Sequence, residues 1–154
     1  MRLTTMTDYA MRLLMYVAHN PDRLCTIAEI AHAYDISESH LMKITHRLGQ
    51  AGFLETVRGK GGGMRLAAPP PQINLGRVVR EVEPDFALVE CFTPGSGCAL
   101  NSYCHLTGIL DGALKAFLTH LDGFTLADLV PDRSGLGDPG SPLHFMAPTA
   151  PAPG

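Results

Sequence analysis

Three cysteines, Cys91, Cys98 and Cys104, fall within fourteen residues, separated by six and then five positions, while Cys25 stands far from them. Thiols grouped in this way in a cytosolic chain point to metal or redox chemistry rather than to a structural disulfide framework. Zinc sites in small domains usually contain a close pair of ligands two to four residues apart, and no such pair is present here. The wider loop suits an iron-sulfur cluster, whose sulfides the backbone amides of Gly95, Ser96 and Gly97 can approach. Three thiolates leave one position to fill, with Cys25, His105 or an oxygen ligand from elsewhere, including a dimer partner, as candidates. Without a metal, the three would be small packing residues. Cys25, just ahead of Thr26, reads as packing.

A second set of chemistry-bearing residues is cationic. The net charge of the 154 residues is only -3, but residues 1 to 80 carry ten Lys or Arg against six Asp or Glu, and residues 81 to 154 carry two against nine. The first half is thus suited to meet phosphate, and the acidic second half has another task.

The elements that hold these residues follow from periodicity. Ala10, Leu13, Leu14, Val17 and Ala18 recur at helical steps, predicting a helix from Thr7 to about Asn20 that Pro21-Asp22 ends. Thr26-Ile27-Ala28-Glu29 has capping-box spacing and predicts a short helix to about Ala33. Ser37 is the next N-cap, and Leu41, Ile44 and Leu48 mark the buried face of a helix from Glu38 to Ala51, stopped by Gly52. Two capped helices about three residues apart form a helix-turn-helix pattern. Opposite the buried face lie Ser39, His40, Lys43, His46 and Arg47, side chains that can reach phosphates or base edges from a major groove.

Phe53 to Val57 and Met64 to Ala67 alternate as strands around the basic turn Arg58-Gly59-Lys60-Gly61-Gly62-Gly63, a wing with Arg58 and Lys60 at its tip and Arg65 on its return strand. A strand rather than a helix follows the glycines, which argues against a nucleotide cradle. Pro69 to Pro71 end the module, predicting a DNA-binding domain over 1 to 71. A helix over Leu75 to Val82, the cysteine loop and an apolar stripe of Ile109, Leu110, Ala113, Leu114, Phe117 and Leu121 make up 72 to 130. The stripe is wider than one neighbour needs and suits a dimer interface. Residues 131 to 154 hold six prolines and three charges without periodicity and read as a disordered tail.

No run of about 18 apolar residues exists, and MRLTTMTDYAMRLL has neither the apolar core nor the cleavage site of a secretory signal, so the expected compartment is the cytoplasm, away from membranes. No coherent set of catalytic acids and nucleophiles is present. The expected class is a non-enzymatic, mainly α protein: a winged helix-turn-helix with a long C-terminal dimerisation helix.

Taken together, Met1-Arg2-Leu3-Thr4, Thr7-Asp8-Tyr9-Ala10, Ser37-Glu38-Ser39-His40-Leu41, the glycine-rich wing and the cysteine trio resemble the Rrf2 family of bacterial transcription regulators over residues 1 to about 130. Thr7 to Ala10 and the ending Leu121 to Leu129 are most similar to its nitric-oxide-sensing branch. That resemblance implies a homodimeric repressor on palindromic operator DNA, released when nitric oxide attacks an iron-sulfur cluster, a 4Fe-4S form first and a 2Fe-2S form as the alternative. It further implies that the helix from about Leu106 to Leu121 crosses to the partner. In this branch an aspartate at the start of the first helix can complete the cluster of the other subunit, a role that maps onto Asp8. Arg12, one turn along, would steady that carboxylate. A related branch that senses iron-sulfur status uses a histidine where this chain has Thr107, and the first cysteine gap is six residues where many members have five. Sensing of iron status or oxidants through the same cysteines is the alternative function.

Overall fold

The computed structural model describes residues 3–93, 95 and 104–130. The chain runs α1 (Thr5–His19), α2 (Ile27–Tyr34), α3 (Glu38–Gln50), β1 (Leu54–Val57), β2 (Gly63–Leu66), α4 (Leu75–Val82) and α5 (Leu106–Asp122), with short 3-10 turns at Pro70–Gln72, Glu90–Phe92 and Leu126–Leu129. It is a mainly helical winged helix-turn-helix, as expected. No helix among the described residues is long and apolar enough to cross a membrane.

The helix starts follow local chemistry. Thr26 Oγ1 accepts the Glu29 amide at 3.2 Å, and Ser37 Oγ accepts the His40 amide at 3.4 Å. The Glu29 carboxylate turns back towards Thr26, as the spacing predicts, and, against the burial that would raise it, its pKa is held below the ordinary value by Arg23 and by the Thr26 backbone and hydroxyl. It also takes the Thr26 hydroxyl at 3.1 Å and, through a charge-assisted bond, Arg23 at 2.6 Å. Asp35, at φ 52°, makes the left-handed turn between α2 and α3.

α1 begins two residues earlier than its apolar pattern predicts, and the reason is distant in sequence. Thr4 offers no side-chain cap of its own; the buried Glu83 carboxylate accepts the Thr4 amide at 2.8 Å, the Thr4 hydroxyl at 3.0 Å and the Thr7 hydroxyl. A carboxylate at this end also meets the positive end of the helix dipole.

β1 and β2 pair antiparallel, with Glu55 opposite Arg65 and Thr56 opposite Met64. The turn between them needs glycine, since Gly59 and Gly61 sit at φ 97° and 77°. Cys25 extends this ribbon: it and Met64 exchange backbone hydrogen bonds of 2.9 and 2.7 Å. Its side chain is fully buried, and that burial pushes the thiol up to about 11. Cys25 is a packing residue, as its position suggested.

Ala10, Leu13 and Leu14 of α1, Ile30 of α2, Leu41, Ile44 and Leu48 of α3, Phe53 and Met64 form one core, and that core continues beyond residue 71 through Ile73, Val78, Val82 and Leu126. α4 therefore packs onto the same core as the helix-turn-helix and the wing. Its dock on α3 is reinforced by Arg77, whose guanidinium lies 4.8 Å over the Phe53 ring and donates to the Ala51 carbonyl at 2.9 Å. α5 differs: none of its residues is fully buried. It is anchored at its C-terminal end, where Arg80 grips Asp122 through two bonds of 2.5 and 2.8 Å and Asn74 donates to the Asp122 carbonyl at 2.7 Å.

Candidate functional site

α3 presents its outer face as predicted. Leu41, Ile44, Thr45 and Leu48 are buried, and Ser39, His40, Lys43 and His46 are exposed. Lys43 and His46 have no hydrogen bond or ion pair among the described residues, nor do Arg58 and Lys60 at the exposed wing tip. These four are free to meet phosphate or base edges. Ser39 and His40 are held closer to the helix start, with their polar atoms 3.2 and 3.0 Å from Ser37 Oγ and the His40 ring 6.3 Å from that of Tyr9.

Two of the predicted cations are engaged within the chain. Arg47 donates from Nε to the Glu81 carbonyl at 2.6 Å, which makes it a strut between α3 and the last turn of α4. Arg65 pairs with Glu55 across the ribbon at 2.8 Å, stiffening the wing. Outward periodicity alone could not separate these from the free cations, since their partners lie on other elements.

Asp8 sits exposed on the first turns of α1, and Arg12 holds it in an ion pair of 3.0 Å. Their helical spacing therefore does bring guanidinium and carboxylate together. Cys91 lies in the 3-10 turn after α4, and Cys104 just precedes α5; both are unpaired and half-buried. Cys98, and the tail over 131–154, lie outside the described residues. Among the described residues, no three His, Cys, Asp or Glu side chains come together in a group able to hold a metal ion. The donor chemistry nevertheless fits an iron-sulfur cluster: two free, half-buried thiols bracket the segment that contains the third. Cys91 Sγ lies 3.3 Å from Thr107 Oγ1 in the first turn of α5, so the chain brings position 107 to the thiol and places a hydroxyl there instead of an imidazole.

Periodicity gives no hint of Glu83. Three threonines cluster at the start of α1, but nothing in their spacing names an acceptor 79 residues away. Between α5 and the loop after α4 lies a cavity of about 400 Å³, whose walls include Thr4, Glu83, Leu88, Leu110, Leu114 and Phe117. Glu83 therefore stands where the start of α1, the residues just after α4 and α5 face one another.

Comparison with known proteins agrees with this architecture. The chain is 46% identical over 138 residues to the HTH-type transcriptional regulator NsrR of Bacillus subtilis, covering 88% of this chain and 94% of that one. It is 48% identical over 138 residues to NsrR of Geobacillus kaustophilus, with the same coverage of 88% and 94%. Among solved structures, T. potens IscR superposes with a TM-score of 0.67 at 23% identity, covering 84% of this chain and 85% of that one. CymR, the global cysteine regulator of B. subtilis, does so with a TM-score of 0.62 at 24% identity, covering 84% and 95%. At these identities the two structures speak for the fold. The family model described as Rrf2, iron-dependent transcriptional regulator, matches residues 3–132, and the chain belongs to the Rrf2 family.

Proposed function

We propose that this regulator is a cytoplasmic, homodimeric repressor that binds palindromic operator DNA and releases it when nitric oxide reacts with an iron-sulfur cluster. Cys91, Cys98 and Cys104 would hold the cluster, with Asp8, steadied by Arg12, as the oxygen ligand given to the other subunit. When bound, the cluster supplies an iron centre with high affinity for nitric oxide. Lys43 and His46 on α3 and Arg58 and Lys60 on the wing would make the free contacts to DNA, with Ser39 and His40 at the helix start beside them.

The observation that carries this reading is the turn that closes α4. The Glu81 carbonyl holds Arg47 of α3, and two residues on the Glu83 carboxylate holds the first turn of α1, on which Asp8 sits. Eight residues further along is Cys91. A displacement of the cysteine loop thus pulls directly on both α3 and α1. In a dimer it changes the separation of two recognition helices, which must match half-sites about 34–36 Å apart. The Thr107 hydroxyl beside Cys91 supports the nitric-oxide branch over the one that uses a histidine ligand there.

The test is an anaerobic absorbance and iron and sulfide assay, followed by nitric oxide titration while binding to a selected DNA duplex is followed. Bleaching with loss of binding is expected, and Asp8→Ala should make the cluster more labile. Unchanged affinity after complete nitrosylation would exclude the nitric oxide switch. Serine at all three cysteines without any change in DNA binding would exclude a cluster role altogether.

A further inference from the structure

The outer face of α3 carries one side chain that neither phosphate contact nor core packing explains. Met42 is 54% exposed, and it lies between exposed Ser39 and exposed His46 on adjacent helical turns. The core is filled from the opposite face by Leu41, Ile44 and Leu48, which are fully buried. The side chain that an exposed helix position calls for is polar, and its neighbours on this face comply. A flexible, polarizable thioether is suited instead to a surface that is apolar and must be fitted.

We infer that Met42 is a specificity residue that reads thymine through its C5 methyl group. This inference rests on the placement of α3 in the major groove. The edges of the base pairs there offer the acceptors N7, O6 and O4, the amino donors of adenine and cytosine, and a single apolar group, the methyl of thymine. A thioether donates no hydrogen bond and accepts only weakly, so it gains little from any of the polar groups. Contact with the methyl is the one interaction that removes apolar surface on both sides from water. Met42 stands beside Lys43 and one turn from His46, so a helix seated by those cations brings the thioether to base edges in the same step. It confers sequence preference where Lys43 confers affinity.

Two properties separate this role from a general contact. Met42 carries no charge, so its loss leaves the salt dependence of binding unchanged, whereas loss of Lys43 lowers the slope. The discrimination also vanishes when the methyl alone is deleted from the DNA. The experiment uses the full chain, purified anaerobically, to select sites from a pool of random duplexes, and repeats the selection with Met42→Ala and Met42→Leu. A thymine in each half-site should be required by the parent, relaxed in Met42→Ala and retained in Met42→Leu.

Replacing that thymine by 2′-deoxyuridine should weaken the parent roughly three- to tenfold, the scale of one or two buried methyl groups, and leave Met42→Ala unaffected. Equal affinity of the parent for thymine and uracil at every selected position would overturn the inference while leaving DNA binding intact. So would a thymine preference that persists in Met42→Ala. A parent chain that selects no duplex would overturn both this inference and the placement of α3 in the groove.

Discussion

α3 and α5 are both amphipathic helices, of 13 and 17 residues, and α5 is the more apolar, yet α3 buries four side chains and α5 none. The difference lies in what surrounds them. α3 is packed by α1, α2, α4 and β1, with side-chain caps at its start and a strut from Arg47. α5 is tethered through Asp122 at one end and leaves Leu106 and Ile109 52% and 66% exposed at the other, next to Cys104. Among the described residues, α3 buries its apolar face within one chain and α5 does not, which is the condition of an element completed by a bound group or a second copy.

The contrast is broken most strongly in the core. Leu41→Ala should lower unfolding free energy by about 2–5 kcal/mol, the range for a fully buried leucine. Ile109→Ala should change it by less than about 0.5 kcal/mol, yet weaken self-association. Urea unfolding, beside sedimentation of both variants, checks the pair. If Leu41→Ala and Ile109→Ala were equally destabilising at a concentration where the chain is monomeric, the two helices would not differ as described.

Next comes the junction between the two halves. Glu83→Ala leaves the Thr4 amide and the Thr4 and Thr7 hydroxyls without their acceptor, and about 1–3 kcal/mol should be lost. If the α4 turn couples the halves, the same variant should also lower DNA affinity although Glu83 touches no DNA. Fluorescence anisotropy on a selected duplex measures this, and loss of stability without loss of affinity would make Glu83 a purely structural cap.

Cys25 supplies a pH-dependent contrast with the half-buried thiols. Its folded-state thiol is raised by burial to about 11 from an ordinary 9.0. Its contribution to stability is therefore complete below pH 9 and declines as pH rises towards 11, because only the unfolded chain can ionise it readily. Two units correspond to roughly 2–3 kcal/mol at most. Urea midpoints at pH 7 and pH 10 should diverge more for the parent than for Cys25→Val. Alkylation of the folded apo chain should label Cys91 and Cys104 well before Cys25.

The smallest effects on folding are expected at the wing tip. Arg58→Ala and Lys60→Ala should each alter stability by under about 0.5 kcal/mol. Each should reduce the slope of log affinity against log salt by about one if it meets a phosphate. Arg65→Ala should change the slope less, since Arg65 already has Glu55 as its partner.

Much of the reading unit was legible because its signals are local. Thr26 and Ser37 cap helices whose partners lie three residues away, and the glycines of the wing turn mark a change of direction within six residues. The strand ends shifted by one residue: Phe53, buried under Arg77, gives its amide to the Leu48 carbonyl of α3 at 2.9 Å, while its carbonyl still accepts the Ala67 amide at 3.0 Å. The separation of the module at residue 71 proved softer than the prolines suggested, because Ile73 and Val78 complete the same core.

By itself the sequence determined the helix-turn-helix, the wing, the grouping of thiols and the segregation of charge, all consequences of spacing along one chain. Only the tertiary structure decided which of the outward cations are free, since Arg47 finds the Glu81 carbonyl 34 residues on and Arg65 finds Glu55 ten residues back. It alone decided that Glu83 caps α1 and that Thr107 stands at Cys91. A hydrogen bond between distant residues depends on the chain folding both into reach, and no local pattern encodes that distance.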